Sequence, residues 1–413
     1  MTRSGDSQMR VLHVAPTVAA SDGTSVAVLA MLHALTGETD IDARLLAGEY
    51  HGLDLHPAVR RDSSAQILPV FQPLAGRLGY TVGYPPGFKH VLSKLAGSAD
   101  VVHVHGLWLF PTIVGGPVLR RLQKPYVLSL HGGLMTDALA RSRIKKILAL
   151  TLFERRNIES AKAIVATSQA ELDQLRSLGL SVTGTVVPLA VDPAALAFLS
   201  GARAPDTLDI SDAARERTIL CVSRFHPQKR LIEIVRAFAS IGRDFRDWRL
   251  RILGPDYEHG YRKKVEVAAR ESGLVDRISV EPAMEGERLW SAYRDADLFV
   301  LASTFESFGL VIAEALAAGT PVIAPRGAPW PQLAAERCGW WIDPSLETLP
   351  STLRDAMSTS PMTLREMGQR GVRLVERDFS LRALGLGLAS VYRSIADAPE
   401  TSVHRKRQGR ETT

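Results

Sequence analysis

Cysteine is nearly absent: 413 residues hold two, Cys221 and Cys338. They have no close partner in sequence, and no Cys-x-x-Cys or Cys/His cluster exists, which excludes a disulfide framework and a structural zinc site and fits a reducing cytoplasm. Long apolar runs are also missing. The longest, "LWLFPTIVGGPVL", is broken by Pro111, Gly115 and Gly116 and is shorter than a spanning helix requires. The amino terminus offers only Val11 to Val18 after a polar start, which does not read as a secretory signal, so membrane association is expected to be peripheral. No internal repeat of solenoid period is present.

What is there describes a globular protein, 46% apolar and 23% charged, too long at 413 residues for one ordinary core, so two domains are expected. A formal charge of +6 admits an anionic partner (nucleotide, phospholipid surface or nucleic acid), or simply a soluble basic surface. Short strand-like runs alternate with helical patterns: "RVLHVAPTV" (10–18), "ARLLAG" (43–48), "DVVHVHG" (100–106), "PYVLSLHG" (125–132) and "AKAIVATS" (161–168). After an Ala-, Pro- and Asp-rich stretch from 192 to 217 that reads as a linker, the alternation restarts with "TILCVSRF" (218–225), "WRLRILG" (248–254), "RISVEP" (277–282), "ADLFVLAS" (296–303) and "TPVIAP" (320–325). The pattern predicts two doubly wound α/β domains, 1–200 and 201–380, a crossover helix over 381–397 and a disordered polar tail over 398–413.

Such sheets bind ligands at the carboxyl ends of their strands, which singles out the residues following each strand. In "SRFHPQKR" (223–230), Arg224 and Lys229 stand where a loop opens a helix. They read as a diphosphate clamp or as two surface cations. In "STFESFGLVIAEAL" (303–316), Gly309 allows close backbone approach at a second helix start, with Ser307, Phe308 and Leu310 beside it. Glu306 lies in the loop, free to accept from hydroxyls or to cap the helix. Glu314 lies on the helix among apolar neighbours, where a carboxylate needs polar partners: a ribose diol, or a salt bridge to a neighbouring helix.

Arg224 and Lys229, followed by Glu306-x7-Glu314 around Phe-Gly-Leu and set between "DADLFVLAS" and "AAGTPVIA", resemble the retaining glycosyltransferases of family 4, of GT-B fold, over roughly residues 10 to 395. The resemblance implies that Arg224 and Lys229 bind the donor diphosphate and that Glu306 contacts donor-sugar hydroxyls. The backbone of Ser307–Leu310 would support sugar and phosphate, Glu314 would hold the ribose, and His131 would lie near the donor sugar. It also implies a nucleoside diphosphate sugar donor and a glycan or lipid-linked saccharide acceptor. No metal, no cofactor and no nucleic acid partner is expected, and the place of work would be the cytoplasm or the inner face of the plasma membrane. Two departures stand out: Arg230 replaces the usual Gly after the Lys, and the small-residue loop near the amino terminus keeps only Gly23.

Other segments admit two readings. His103, His105 and His131 end two strands and are either structural or turned to one cleft. Trp108 and Trp330 stack on sugar faces or pack in the core. "RGAPWPQLAAERCGWWIDP" (326–344) adds a resemblance to a subgroup of surface-polysaccharide and lipopolysaccharide assembly enzymes. "DAD" (295–297) mimics a metal-binding Asp-x-Asp but reads as structural. "ARSRIKKILALTLFERR" (140–156) reads as one amphipathic helix whose Arg141, Arg143, Lys145 and Lys146 oppose the helix dipole, as expected of a face for anionic lipid or a lipid diphosphate, or of a solvated basic face. The rival functions are a nucleotide-sugar epimerase and a non-catalytic glycan-binding partner of an active transferase.

Overall fold

The computed structural model describes residues 8–19, 23–60, 62–71, 83–140, 143–201, 216–256 and 260–397. Two parallel sheets form. The first has β1 (Met9–Thr17), β2 (Ile41–Glu49), β3 (Ala65–Pro69), β4 (Val101–His105), β5 (Tyr126–Ser129), β6 (Ala163–Ala166) and β7 (Gly184–Val186), in the order β3-β2-β1-β4-β5-β6-β7. The second has β8 (Arg217–Val222), β9 (Trp248–Leu253), β10 (Ile278–Glu281), β11 (Leu298–Val300), β12 (Val322–Pro325) and β13 (Gly339–Ile342), in the order β10-β9-β8-β11-β12-β13. Helices connect successive strands, so the central strands are buried on both faces; every residue of β4, β5, β6 and β11 is buried. Strand order reverses between β1 and β4 and between β8 and β11, and a crevice opens at the carboxyl ends of such strands.

Register decides what reaches that crevice. Pairing of β1 with β4 places His13 beside His103, and pairing of β4 with β5 places His105 beside Ser129. Side chains alternate along a strand, so His13, His103, His105 and Ser129 share one face of the first sheet. The helix Leu381–Ala396 lies against that lobe, packed on the helix Gly23–Glu38 closely enough that a Cβ at Gly385 would stand 2.6 Å from the Ala34 carbonyl oxygen.

Two sequence expectations are corrected. The stretch read as a linker begins with a helix, Pro193–Gly201. Its amino end is set by Asp192, whose carboxylate accepts from the Ala194 amide at 2.9 Å, and its Phe198 ring lies 5.7 Å from that of Trp290. An Ala- and Leu-rich run after proline is a good helix former, and its apolar face is taken up by the second lobe. The segment read as one amphipathic helix is instead Arg143–Ala149, a wider π turn over Leu150–Glu154, then Arg155–Ser160. The wide turn carries Glu154 inward, where its carboxylate accepts from the Trp108 amide at 2.8 Å, the Thr112 hydroxyl at 2.6 Å and the Asn157 amide at 3.0 Å. Arg141 and the tail over 398–413 lie outside the described residues.

Candidate active site

After β8 the chain makes a single 3-10 turn, Pro227–Lys229, and leaves it through Arg230 at φ 51°. The turn points the Lys229 ammonium at the loop after β11, where it pairs with the Glu306 carboxylate. The Ser303 hydroxyl donates to the same carboxylate at 2.6 Å. Gln228 fixes the two loops together: its carbonyl accepts from the Thr304 amide at 2.9 Å and its side-chain amide donates to the Phe305 carbonyl at 3.3 Å. Arg224 is exposed and makes no ion pair among the described residues. Arg230 turns away, donating to the carbonyls of Pro344 at 2.7 Å and Ser345 at 3.1 Å and pairing with Glu233 at 3.5 Å.

The helix Leu310–Ala317 starts at Gly309, whose φ of 86° is easily reached only without a side chain, and among the described residues no side chain caps its first amides. Those amides and the helix dipole make the start receptive to an anion. Ser307 and Leu310 are partly buried on either side of it, whereas Phe308 is buried. Glu314, one turn on, accepts from the Tyr293 hydroxyl at 2.8 Å. Burial pushes its carboxyl above the ordinary value, and the Tyr293 hydrogen bond opposes that shift.

The first lobe meets this loop edge to edge. A Cβ on Gly132 would stand 2.9 Å from that of Ser307, and the Thr167 hydroxyl donates to the Ser307 carbonyl at 3.2 Å. Buried Glu171 holds the lobe's side of the contact, accepting from the amides of Gly132 at 2.6 Å and Thr167 at 3.0 Å. His131 precedes Gly132 at φ 48°, a left-handed conformation uncommon for a residue with a side chain. Such local strain persists only where surrounding contacts impose it.

Several sequence-level candidates land elsewhere. His105 is 1% exposed, with one ring nitrogen 2.9 Å from His13 and the other 3.1 Å from His131, so it reaches a substrate only through His131. Trp330 is core: 1% exposed, packed on Phe308 and Phe379, and donating to the Phe308 carbonyl at 2.6 Å. Trp108 is half-buried and anchored, its indole donating to the Gly133 carbonyl at 3.2 Å. Gly23 begins a helix and faces open space, without a positive φ. Asp297 accepts from the Thr218 amide at 2.8 Å, at the opposite end of β8 from Lys229. Sequence reasoning passed over Ser303, Gln228, Tyr293 and Glu171. Ser303 and Gln228 were within reach, standing inside the quoted motifs; Tyr293 and Glu171 are brought in only by tertiary folding.

The family described as glycosyl transferase 4-like domain matches residues 22–190, and that described as glycosyl transferases group 1 matches residues 209–371. The chain belongs to this glycosyltransferase family, with the GT-B arrangement of two Rossmann-like sheets. It is 32% identical over 241 residues, 58% of this chain and 59% of the relative, to GDP-mannose:cellobiosyl-diphosphopolyprenol alpha-mannosyltransferase of Xanthomonas campestris. The chain thus spans about three fifths of that relative's length. It is 28% identical to D-inositol 3-phosphate glycosyltransferase of Segniliparus rotundus, over 85% of this chain and 74% of that one. Among solved structures, Anabaena HepE in complex with UDP superposes with a TM-score of 0.68 at 16% identity, covering 94% of this chain and all (100%) of that one, a likeness of fold.

Proposed function

We propose that the protein is a retaining glycosyltransferase that moves a sugar from a nucleoside diphosphate sugar to a glycan or lipid-linked saccharide acceptor in cell-surface polysaccharide assembly. The observation that carries this reading is the convergence of Lys229, Glu306 and the uncapped Gly309–Leu310 helix start at the carboxyl ends of β8 and β11, in contact through Ser307 with Gly132 of the other lobe. In the reading, Lys229, Arg224 and the helix amides stabilise charge growing on the leaving diphosphate, which then takes the acceptor's proton; preorganised charge of this kind requires no metal. Glu306 reads donor-sugar hydroxyls and Glu314 the ribose. Contact between the lobes excludes water and limits hydrolysis.

The finer partner assignment is a lipid-linked acceptor met at an anionic membrane face. Ile144, Ile147, Leu148, Leu152 and Phe153 are between 49% and 77% exposed, and Lys145 is exposed beside them. Amphipathic segments of this composition lie in the headgroup region of a bilayer. Among the described residues no helix is long and apolar enough to cross one.

The test is turnover with a panel of nucleoside diphosphate sugars, with and without polyprenyl-diphosphate saccharides in anionic vesicles. Sugar transfer that needs the acceptor and keeps the anomeric configuration is expected. Conversion of the nucleotide sugar without any acceptor would replace this reading by epimerisation, and nucleotide-sugar binding without turnover on any acceptor by a binding subunit.

A further inference from the structure

A line of imidazoles runs inward from His131 toward the helix Leu381–Ala396, and the transfer chemistry above makes no use of it. His131 Nε2 lies 3.1 Å from His105 Nδ1, and His105 Nε2 lies 2.9 Å from His13 Nδ1. His13 Nε2 is 3.4 Å from the Tyr392 hydroxyl, which is 2.6 Å from His103 Nδ1. His103 Nε2 is 2.8 Å from Ser129 Oγ, and that hydroxyl is 3.2 Å from the Val165 carbonyl oxygen. His13, His103, His105, Ser129 and Tyr392 are at most 1% exposed. Burial lowers His13 to about 3 and holds His103 and His105 well below the ordinary imidazole value, so these three rings are neutral.

Each neutral imidazole has one N–H and one bare nitrogen, and each hydroxyl has one proton. A line of such groups has only two orders free of facing protons or facing lone pairs: every proton points inward, or every proton points outward. The carbonyl of Val165 can only accept. If Ser129 gives it the hydroxyl proton, His103 must donate to Ser129 from Nε2. Tyr392 then donates to His103 Nδ1 and accepts from His13 Nε2–H. His13 Nδ1 accepts from His105 Nε2–H, and His105 Nδ1 accepts from His131 Nε2–H.

The nitrogens of His13, His103 and His105 gather within 4.8 Å, which is also how a metal site looks. Two nitrogens on one tetrahedral zinc stand roughly 3.4 Å apart. The 2.9 Å between His13 Nδ1 and His105 Nε2 is a hydrogen bond instead, and among the described residues no carboxylate or thiolate joins the cluster to offset an ion's charge.

We propose that these groups form one directed hydrogen-bond chain in which Ser129 and Tyr392 are positioning residues, holding His131 with its proton on Nε2, toward His105. The effect on turnover rests on the proposed transferase function; the proton order does not.

The test is the tautomer of each ring, read by long-range proton–nitrogen correlation on the full chain labelled with nitrogen-15 histidine at neutral pH. All four rings are expected as Nε2–H. Ser129→Ala removes the acceptor of His103 Nε2–H, and an orphaned buried donor is costly. The chain is then expected to reverse, giving Nδ1–H in His103, His13 and His105 together and in neutral His131. Tyr392→Phe is expected to cut kcat about tenfold while leaving donor KM within about twofold. An Nδ1–H ring in the unaltered protein, a reversal confined to His103, or zinc that binds stoichiometrically and moves the three inner rings' signals would each overturn the chain. The spectra need no turnover, so an inactive protein would refute the transferase reading and leave this one standing.

Discussion

Lys229 and Glu306 form an ion pair across the ends of β8 and β11, with side chains only 12% and 14% exposed. Each is the charge the other needs, and a diphosphate must share or displace Glu306 to reach the ammonium. Removing one partner strands the other half-desolvated. Lys229→Ala is therefore expected to cost about 2 kcal/mol of stability, and the double variant Lys229→Ala/Glu306→Gln to regain most of it without regaining transfer. Denaturant unfolding of the single and double variants checks the first part; an active double variant would remove Lys229 from the diphosphate site.

If Glu314 holds the ribose as proposed, Glu314 and Tyr293 are expected to tie nucleotide binding to pH. Burial raises the Glu314 carboxyl above the ordinary 4.5, and the Tyr293 hydrogen bond restrains the rise. In the proposed function the ionised carboxylate accepts from the ribose hydroxyls and the protonated one does so poorly, so nucleotide affinity is expected to be full above the raised value and to fall as pH drops through it. Glu314→Gln should weaken binding about tenfold at neutral pH. Tyr293→Phe lifts the restraint and should shift the loss of affinity to higher pH. Calorimetric titration of nucleoside diphosphates across pH measures both; superimposable profiles for Tyr293→Phe and the unaltered protein would separate Glu314 from the ribose.

The central strands, and the placement of Arg224, Lys229 and Glu306 just after β8 and β11, were legible because buried parallel strands are continuous apolar runs and these residues follow them directly. β3, β7 and β13 were not. They are three to five residues long and largely half-exposed, so no apolar run marks them. The Lys229–Glu306 pairing was hidden too, because sequence suggests a role for each residue but not its partner across two loops. Trp330 shows the opposite limit: an indole near the motif reads equally as a sugar platform or as core, and only its packing on Phe379 decides. The imidazole chain depends on register across β1, β4 and β5 and on a tyrosine 289 positions from His103, a relationship that local pattern cannot carry.

The same buried rings should make the fold acid-sensitive. Above the ordinary value of 6.5 they are neutral whether the chain is folded or not, and contribute no pH dependence. Below 6.5 the unfolded chain takes up protons that the native state refuses, so stability falls with pH, continuing down to about 3 for His13. Each ring adds on the order of 1 kcal/mol per pH unit in that window. Melting temperature is expected to drop steeply between neutral pH and pH of about 5, and a His103→Gln variant to show a shallower slope. A variant slope equal to that of the unaltered protein would mean that His103 charges freely in the native state.

The exposed face around the π turn gives the last expectation. Ile147 and Leu152 are 51% and 66% exposed, and each apolar side chain that enters a bilayer contributes roughly 1–2 kcal/mol. Exposed Lys145 adds attraction to anionic lipid that salt screens. Ile147→Glu/Leu152→Glu is expected to reduce co-flotation with anionic vesicles at least about tenfold, and raised salt to weaken binding of the unaltered protein. Both positions lie outside the residues that gather at the strand ends, so turnover on a detergent-solubilised acceptor should stay unchanged while turnover on the same acceptor in vesicles falls. Equal losses on both acceptors would point to a folding defect, and undiminished flotation would show that this face meets something other than lipid.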